Sequence, residues 1–329
     1  MTFTVYRLTF PHGIHLGDHR PDDYGSSLDY LPSDSLHAAL LAMQARMGRP
    51  VPGAEGPGYQ LSSAFPFATV AGRVVYFFPK PLIKANLGNQ AIDYAKKLKK
   101  ARWLDADYLG RVLRAEYLDF GGERQPHLQG SYVSARHFPA NFSLVHSQPR
   151  QRVTVPRYGS EDANPFISDV RFFAEGAGLF FLFQGNATAQ ATMEASLTLL
   201  SHEGLGTDRN IGNGHFTYTV DNLHIQAPMI GEYGTNLGLF CPVDQPQLQT
   251  MLDDPQTAYH TIRRGGWITT SGGLGRRKRS ITMFEEGCIL RTREAVAGRP
   301  AIDLSPPGYS HPVWRNGQTI FLPVKVEQT

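Results

Sequence analysis

The sequence predicts an α+β protein, and three features near its N-terminus indicate this class. Residues 2–10 alternate polar and apolar side chains, which is typical of a half-buried strand. A helix is predicted to begin at Ser33, a suitable N-cap, followed by Asp34 at the positive end of the helix dipole. Residues 70–78 are rich in valine and aromatic residues and predict a second strand. The first eighty residues therefore predict a strand, a helix and a strand.

The same order recurs in the second half of the chain. An apolar run at 179–183 is followed by a helical segment at 188–200 and a strand at 216–220. Two such units with additional antiparallel strands predict two tandem ferredoxin-like domains of the split βαβ, RRM-like type. We predict that the N-terminal domain spans 1–165 and that the C-terminal domain spans 166–329.

Other segments complete the prediction. An insertion is expected at about 84–160, between the two units. A short helix is predicted at 245–252. Four further strands are predicted in the C-terminal half, at 237–243, 259–269, 281–291 and 319–326.

Composition excludes several classes of protein. A charged fraction of 19% and an apolar fraction of 41% are ordinary for a globular chain. No run approaches the ~18 apolar residues that a membrane span needs. The N-terminus is predicted to be a strand and not a signal peptide. Cys241 and Cys288 lie far apart and do not suggest a zinc site. We expect a cytoplasmic protein with no membrane association, no metal and no cofactor.

The segment His202–Phe216, HEGLGTDRNIGNGHF, places four glycines around Asp208 and Arg209. Glycine adopts positive φ without steric cost and allows another backbone to approach closely. The segment lacks the lysine of a triphosphate-binding loop, and it connects a helix to a strand, the reverse of a dinucleotide fingerprint. It therefore predicts a loop shaped to lie against another surface.

The segment Arg263–Arg279, RRGGWITTSGGLGRRKR, contains six cations and no acid. Flexible backbone, guanidinium groups and one large aromatic ring suit a single-stranded nucleic acid, which needs charge for phosphates and a stacking platform for a base. The alternative is a hairpin tip kept soluble by its charge. The candidate RNA-binding residues of this segment are Arg263, Arg264, Gly265, Gly266, Trp267, Arg276, Arg277, Lys278 and Arg279.

A second basic cluster, Lys96–Arg102, lies on a helix predicted near 92–104. Either this helix faces phosphate or an acidic partner, or its lysines are simply solvated.

The N-terminal loop contains His12 and His15, which could act as a general acid–base pair in RNA cleavage. This leaves a second functional hypothesis open, a metal-independent endoribonuclease that processes precursor RNA. A third hypothesis is an assembly protein that does not bind RNA.

Three segments together resemble one family. The segment His15–Leu40, with its PSDS helix start, the GLGTDRNIGNG loop and the GGWITTSGGLGRRKRSITMFEEGCIL segment occur in the order found in the repeat-associated mysterious proteins (RAMPs). Within that superfamily the chain is similar to subunit 4 of the type III-A CRISPR Csm complex. The lysine-rich helix and the arginines from Arg152 to Arg157 also resemble that family.

The resemblance implies a non-catalytic RNA-binding subunit in antiviral defence. It would bind the 5′ handle of the CRISPR RNA, and it would contact the large polymerase-like subunit and the backbone RAMP subunit of the ribonucleoprotein. The family's β-hairpin thumb would lie within Arg114–Val153. The RNA-binding residues implied in this way are His15, Ser33, Asp34, Ser35, Arg157, Gly206, Arg209, Gly212 and Gly214.

Overall fold

The structure, a computed structural model, describes residues 1–17, 24–87, 91–119, 127–139, 142–155, 162–268, 275–292 and 298–326. The helices in these ranges are α1 (Ser33–Arg46), α2 (Ala91–Lys100), α3 (Ala106–Leu113), α4 (Ala187–Glu203) and α5 (Gln245–Leu252). The strands of the N-terminal two thirds are β1 (Thr2–Thr9), β2 (Tyr59–Leu61), β3 (Phe65–Val70), β4 (Arg73–Pro79), β5 (Trp103–Asp105), β6 (His127–Gln129), β7 (Tyr132–Ser134), β8 (Val145–Thr154), β9 (Asn164–Phe173), β10 (Ala177–Gly185) and β11 (Thr217–His224). The remaining strands are β12 (Tyr233–Asn236), β13 (Thr261–Arg264), β14 (Trp267–Ile268), β15 (Arg276–Arg277), β16 (Ile281–Phe284), β17 (Ile289–Arg291), β18 (Arg299–Asp303), β19 (Trp314–Gly317) and β20 (Phe321–Val324).

One large sheet organises most of these elements. Its strand order is β11–β1–β10–β3–β4–β5–β7–β6, and β2 also pairs with β10. The N-terminal strand β1 pairs antiparallel with β10 on one side and with β11 on the other, as in Val5 opposite Leu182 and opposite Asp221. The chain is therefore a mixed α+β protein, as predicted.

This pairing corrects the predicted domain organisation. A boundary between 165 and 166 separates β1, α1 and β3 from β10, α4 and β11, yet the four strands are neighbours in one sheet. The two predicted βαβ stretches are thus halves of a single unit in βαββαβ order. Adjacent strands in this unit come from opposite ends of a long stretch of chain, which local periodicity does not reveal.

Alternating side chains explain why this sheet is covered on both faces. Tyr6 and Leu8 of β1 pack in one apolar cluster with Leu36 of α1 and Leu197 of α4. Val5, on the opposite face of β1, lies in a second cluster with residues of β3, β4, β5 and α3. Helices α1 and α4 therefore cover one face, and the helix-rich insertion covers part of the other.

The C-terminal region packs onto the same second cluster. Its three-stranded sheet has the order β17–β12–β20, and Ile289, Leu322 and Val324 belong to the cluster that contains Val5. The hydroxyl of Thr319 also donates to the Leu61 carbonyl at 3.2 Å. The C-terminal region is consequently joined to the large sheet by a continuous apolar core.

Helix α5 confirms its predicted bounds, whereas the strand predicted at 237–243 is wrong. Strand β12 ends at Asn236, whose side-chain amide donates to the carbonyls of Gly238 and Glu285, both at 2.7 Å. Beyond it, Phe240 makes only an isolated bridge with Phe284. The backbone of this segment bonds to several different neighbours, as in Leu237 N–H to the Ile320 carbonyl and Cys241 N–H to the Gly317 carbonyl, both at 2.9 Å, and so forms no continuous ladder. The run of apolar residues gave no sign of this.

The described part of the chain contains no helix with the length and apolarity needed to cross a bilayer. The described side chains also form no group of three or more His, Cys, Asp or Glu arranged to bind a metal ion.

Candidate nucleic-acid interface

The glycine-rich loop Gly204–Gly214 connects α4 to β11. Helix α4 is capped at its C-terminal end by Gly204, where φ is +84° and the backbone N–H donates to the Leu200 carbonyl at 2.8 Å. Two residues later, Gly206 has φ of +82°, and a Cβ there would collide with the carbonyl oxygen of His15. The next N–H, of Thr207, donates to that same carbonyl at 3.1 Å. The loop is therefore held directly against the backbone of the N-terminal loop.

Gly214 completes the attachment. Its φ is +74°, its N–H donates to the Gly13 carbonyl at 2.9 Å, and a Cβ would overlap the backbone of Leu205. Gly212, in contrast, has φ of +90° but no neighbouring atom within 4 Å of a Cβ position. The base of the loop is thus tightly packed, and its tip is open.

The tip carries charge and apolar surface. Asp208 adopts the left-handed conformation with φ of 59°, and Arg209–Ile211 form a short 3-10 turn. Arg209 is exposed, and the side chain of Ile211 is 58% exposed.

The hairpin β8–β9 lies on the other side of the N-terminal loop. Ile14 and Arg171 exchange two backbone hydrogen bonds of 2.9 and 2.8 Å. The ring Nδ1 of His15 donates to the Asp169 carbonyl at 2.6 Å. Residues 13–15 are therefore sandwiched between the hairpin and the glycine-rich loop. The hairpin begins within the predicted thumb range and extends beyond it to residue 173.

An ion pair of 3.1 Å between Arg152 and Asp208 links the hairpin to the tip of the glycine-rich loop. Arg150 lies two residues before Arg152 and thus on the same face of β8, with its guanidinium 5.4 Å from the centre of the Phe172 ring. The exposed His12 precedes Gly13, a residue whose added Cβ would meet the same Phe172 ring. We call the surface formed by His12, Arg150, Arg152, Arg209 and Gly212 the hairpin–loop surface.

Two aromatic rings border this surface. Phe166 is opposite Arg152 in the β8–β9 register, and its ring centre lies 5.4 Å from that of Tyr24. Tyr24 is 43% exposed. An exposed aromatic ring beside arginines can stack with an unpaired base while the arginines hold phosphates.

The second candidate region is the cationic hairpin, residues 261–268 and 275–284. Strand β13 pairs with β16, and β14 pairs with β15. Trp267 is 44% exposed, and the Arg277 guanidinium lies 5.2 Å from its ring centre. Arg276 is exposed, as is Arg263, which donates to the Ser280 hydroxyl at 2.8 Å. The outer side of the hairpin thus presents three arginines and an indole ring.

The inner side of the cationic hairpin is tied to α1. Arg264 donates from Nε and Nη2 to the two carboxylate oxygens of Asp34, each at 2.9 Å, and from Nη2 to the Ser35 hydroxyl at 2.9 Å. Arg315 also pairs with Asp34 and donates to the Gly265 carbonyl at 3.0 Å. Asp34 is therefore the shared counter-ion of two arginines from the C-terminal region.

The charged groups of this cluster are almost fully buried. Asp34 is 1% exposed, and Arg315 is 7% exposed. Loss of water lowers the pKa of Arg315 to about 10, so the guanidinium remains charged at neutral pH. The adjacent Ser33 hydroxyl accepts the Leu239 N–H at 3.0 Å. The PSDS segment thus anchors the C-terminal region, and Ser33 begins the helix itself, which corrects its predicted N-cap role.

These contacts divide the predicted RNA-binding residues. Internal partners occupy His15, Ser33, Asp34 and Arg264, and close backbone packing occupies Gly206 and Gly214, so we do not retain these six as RNA contacts. Ser35 is half-buried beside Arg264. Arg279 donates to the Asp303 carbonyl at 2.8 Å, and the N–H of Lys278 donates to the Gly266 carbonyl at 2.9 Å. Arg157 lies outside the described residues.

The surface residues that remain are Arg209, Gly212, Arg263, Gly265, Gly266, Trp267, Arg276, Arg277, Lys278 and Arg279. Sequence reasoning missed Arg150, Tyr24 and Phe166. The alternation of charge along QPRQR, which places Arg150 and Arg152 on one face of a strand, was the available signal.

The comparisons with known proteins agree with this architecture. Residues 231–324 match the family model of the CRISPR Csm4 C-terminal domain. No curated protein matches the chain.

Among solved structures, a Csm3–Csm4 subcomplex of the type III-A CRISPR–Cas interference complex contains a similar chain. The TM-score is 0.65 at 18% identity, with 99% of this chain and 100% of that chain covered. A Csm1–Csm4 cassette in complex with cA4 gives a TM-score of 0.61 at 19% identity, with both chains covered fully. At this level of identity the structures show a common fold. Residues 231–324 thus match the Csm4 C-terminal domain, and the chain as a whole shares the fold of the Csm4 chains in these structures.

Proposed function

We propose that this chain is a non-catalytic, RNA-binding subunit of a type III-A CRISPR effector complex in antiviral defence, and that it binds the 5′ handle of the CRISPR RNA. The single observation that carries the proposal is the hairpin–loop surface. Three separate segments, residues 12–15, 145–173 and 204–214, meet there and place arginines beside half-buried aromatic rings, and the exposed Tyr24 packs against one of them.

The chemistry of this surface suits an unpaired oligonucleotide. Arg150 and Arg209 supply charge for phosphate oxygens, and the open backbone around Gly212 lets a strand approach closely. Tyr24 offers a ring for stacking. None of these groups needs to read a base edge, which fits a subunit whose complex finds its target by base pairing with the guide.

We propose that the cationic hairpin supplies a second RNA contact through Trp267, Arg276 and Arg277. Their outward positions support this role. The internal Arg264–Asp34 pair would hold the hairpin in place while its outer side binds.

We further propose that the protein partners are a large polymerase-like subunit and a backbone RAMP subunit. The solved relatives occur in subcomplexes with Csm1 and with Csm3, and the similarity of fold supports equivalent partners here. On the same basis we propose that the βαββαβ unit is ferredoxin-like and that the protein works in the cytoplasm.

The geometry does not favour the endoribonuclease hypothesis. His15 is 1% exposed, and its ring donates to the Asp169 carbonyl inside the sandwich. The predicted acid–base pair is therefore not presented together at the surface, and only His12 is exposed.

The test is copurification of the chain with the products of its neighbouring genes, followed by sequencing of RNA crosslinked to the chain. We expect repeat-derived 5′ sequence to be enriched with the wild-type chain and at least fivefold depleted with Arg150→Ala/Arg209→Ala. The matched control is Arg49→Ala/Arg73→Ala, two exposed arginines outside the hairpin–loop surface.

Equal recovery of handle RNA with both variants would refute the hairpin–loop surface as the binding site. An assembly that forms without any guide RNA would refute the function itself. Specific cleavage of repeat RNA by the purified chain, abolished by His12→Ala, would support the nuclease instead.

A further inference from the structure

A groove lies at the seam between the insertion and the C-terminal region, and none of its described lining residues is among the RNA contacts proposed above. Its largest part is a cavity of about 830 Å³. Segment 80–87 forms one wall, and residues 255–258, Ile289 and Lys325 form the opposite side. Two further cavities, of about 620 and 390 Å³, share Lys80 and Leu82 with it. The space is therefore an extended groove and not a closed pocket.

The charge of this groove is one-sided. Lys80, Lys84, Lys99 and Lys325 line the largest cavity, and no carboxylate is among its described lining residues. Lys84, Lys99 and Lys325 are exposed, and within the described ranges none of the three forms an ion pair. Glu285 and Glu286 occur only in the cavity beyond Lys80. We call the cavity containing the four lysines the lysine groove.

Hydrogen bonds attach both walls of the lysine groove to the helical insertion. The Lys80 ammonium donates to the Leu98 carbonyl at 2.8 Å, and burial lowers its pKa. This bond joins the start of segment 80–87 to helix α2, which carries Lys99. The backbone N–H of Lys325 donates to the Leu113 carbonyl at 2.8 Å and joins the other wall to α3. Both walls are thus fixed to the same helical insertion.

The floor between the lysines is aliphatic. It includes Leu87, Leu98, Leu104 and Val112, and none of the described residues that line the largest cavity is aromatic. An RNA strand would find no ring for stacking there, and it would find ammonium groups in place of the guanidinium forks that bind phosphate in pairs. Apolar side chains framed by lysines instead complement a polypeptide with one apolar face and acidic flanks.

We propose that the lysine groove docks an acidic, amphipathic segment of a partner polypeptide. The apolar side chains of that segment would cover the aliphatic floor, and its carboxylates would pair with Lys84, Lys99 and Lys325. The groove also gives the lysine-rich helix α2 a role that RNA binding at the hairpin–loop surface does not. The proposal does not depend on the identity of the RNA or of the complex.

The test uses the full-length chain and a fluorescent synthetic helix in which leucine forms one face and glutamate the other. The key variant is Lys84→Glu/Lys99→Glu/Lys325→Glu. The matched control, Arg49→Glu/Arg73→Glu/Lys96→Glu, has the same charge change at exposed sites that do not line the groove, including one on α2. Thermal unfolding should be the same for both variants, because all six side chains are exposed.

We expect the wild-type chain and the control to bind the leucine–glutamate helix with equal affinity, and the groove variant to bind at least tenfold more weakly. The bound helix should protect Lys84, Lys99 and Lys325 from acetylation, measured by mass spectrometry. No binding to the wild-type chain, or equal loss in the control, would overturn the proposal. Protection of the same lysines by a single-stranded uridylate oligomer and not by the acidic helix would identify the groove as an RNA site and would also overturn it.

Discussion

The glycine-rich loop and the cationic hairpin looked alike in sequence, since both combine glycines with arginine, but they are built in opposite ways. In the loop, Gly206 and Gly214 allow close backbone packing against the N-terminal loop, and its neighbour β8 supplies Arg150 and Arg152. In the hairpin, one arginine turns inward to a buried carboxylate, and the others remain outside. A run of similar residues can therefore contain one residue that binds the segment to the core and others that remain exposed for binding.

Removal of Asp34, the buried carboxylate that binds Arg264 of the cationic hairpin, should have the largest effect on stability. Asp34→Ala leaves Arg264 and Arg315 without their common counter-ion in a buried site. Breaking a buried pair by removing one partner typically costs about 3–5 kcal/mol. We expect a loss of that size in the free energy of unfolding, measured by chemical denaturation. Glu203→Ala is the control, because it removes the exposed Arg46 pair at the other end of α1 and should cost less than ~1 kcal/mol. Similar losses in the two variants would mean that the anchor contributes no more than a surface pair.

The base of the glycine-rich loop should be the next most sensitive point. Gly214→Ala adds a Cβ that overlaps the Leu205 backbone at a positive φ. Backbone strain and overpacking together predict a loss of roughly 2–4 kcal/mol.

Gly212→Ala is the matched substitution, because it has positive φ and open space. It should cost only about 1–2 kcal/mol from backbone strain. Thermal unfolding of the two proteins measures the contrast. Equal melting temperatures would contradict the division of this loop into a packed base and an open tip.

Low pH should destabilise α1, the helix that packs against α4 and pairs with the cationic hairpin through Asp34. His37 of α1 is 5% exposed, neither ring nitrogen has a hydrogen-bond partner among the described residues, and burial lowers its pKa to about 4. The unfolded chain binds this proton at about pH 6.5, and the folded chain does so only near pH 4. The unfolded state therefore holds more protons between these values, so stability falls as the pH is lowered through that window.

We expect His37→Leu to remove roughly 1–3 kcal/mol of the stability loss between pH 6.5 and 4.5. Urea unfolding at several pH values measures this difference. Parallel pH profiles for wild-type and variant would show that the ring gains a proton as easily in the folded protein as in the unfolded one.

The smallest effect should appear only in RNA binding. Arg276→Ala/Arg277→Ala removes outward charges from the cationic hairpin and should leave its stability unchanged within about 0.5 kcal/mol. The slope of log affinity against log salt should fall by about 0.7 for each phosphate of a single strand that the variant no longer binds. Arg279→Ala is the comparison, because Arg279 is already hydrogen-bonded to Asp303, and it should change the slope less. A salt slope that is the same in the double variant and the wild type would remove the hairpin from the RNA-binding surface.

The elements that could be predicted were those with a complete local signal. Helix α5 has Asp244 before it, whose carboxylate accepts the Gln247 N–H at 2.8 Å, and its bounds were predicted correctly. Helix α4 begins after Asn186, which caps the Ala189 N–H, and is followed by its C-terminal cap, Gly204. Strand β1 is rich in apolar residues at alternating positions and was also predicted. Each of these signals lies within a few residues of the element that it defines.

The candidate site could be predicted only in part, because its contacts join residues that are far apart in the sequence. Arg276, Arg277 and Trp267 were identified by composition and remain on the surface. Arg264 has the same composition, but its partner Asp34 is 230 residues away. Arg150 joins the other candidate surface only because β8 folds beside the glycine-rich loop.

By itself the sequence determined the α+β class, the bounds of α5, the glycines able to adopt positive φ and the supply of cations. These properties depend on backbone preferences and on side-chain periodicity over a few residues. Tertiary structure alone decided that β10 and β11 flank β1, that Asp34 binds two distant arginines, and that four lysines from separate segments line one groove. Those outcomes depend on which apolar faces cover one another, since burial favours any matching pair of faces and only the whole fold selects one.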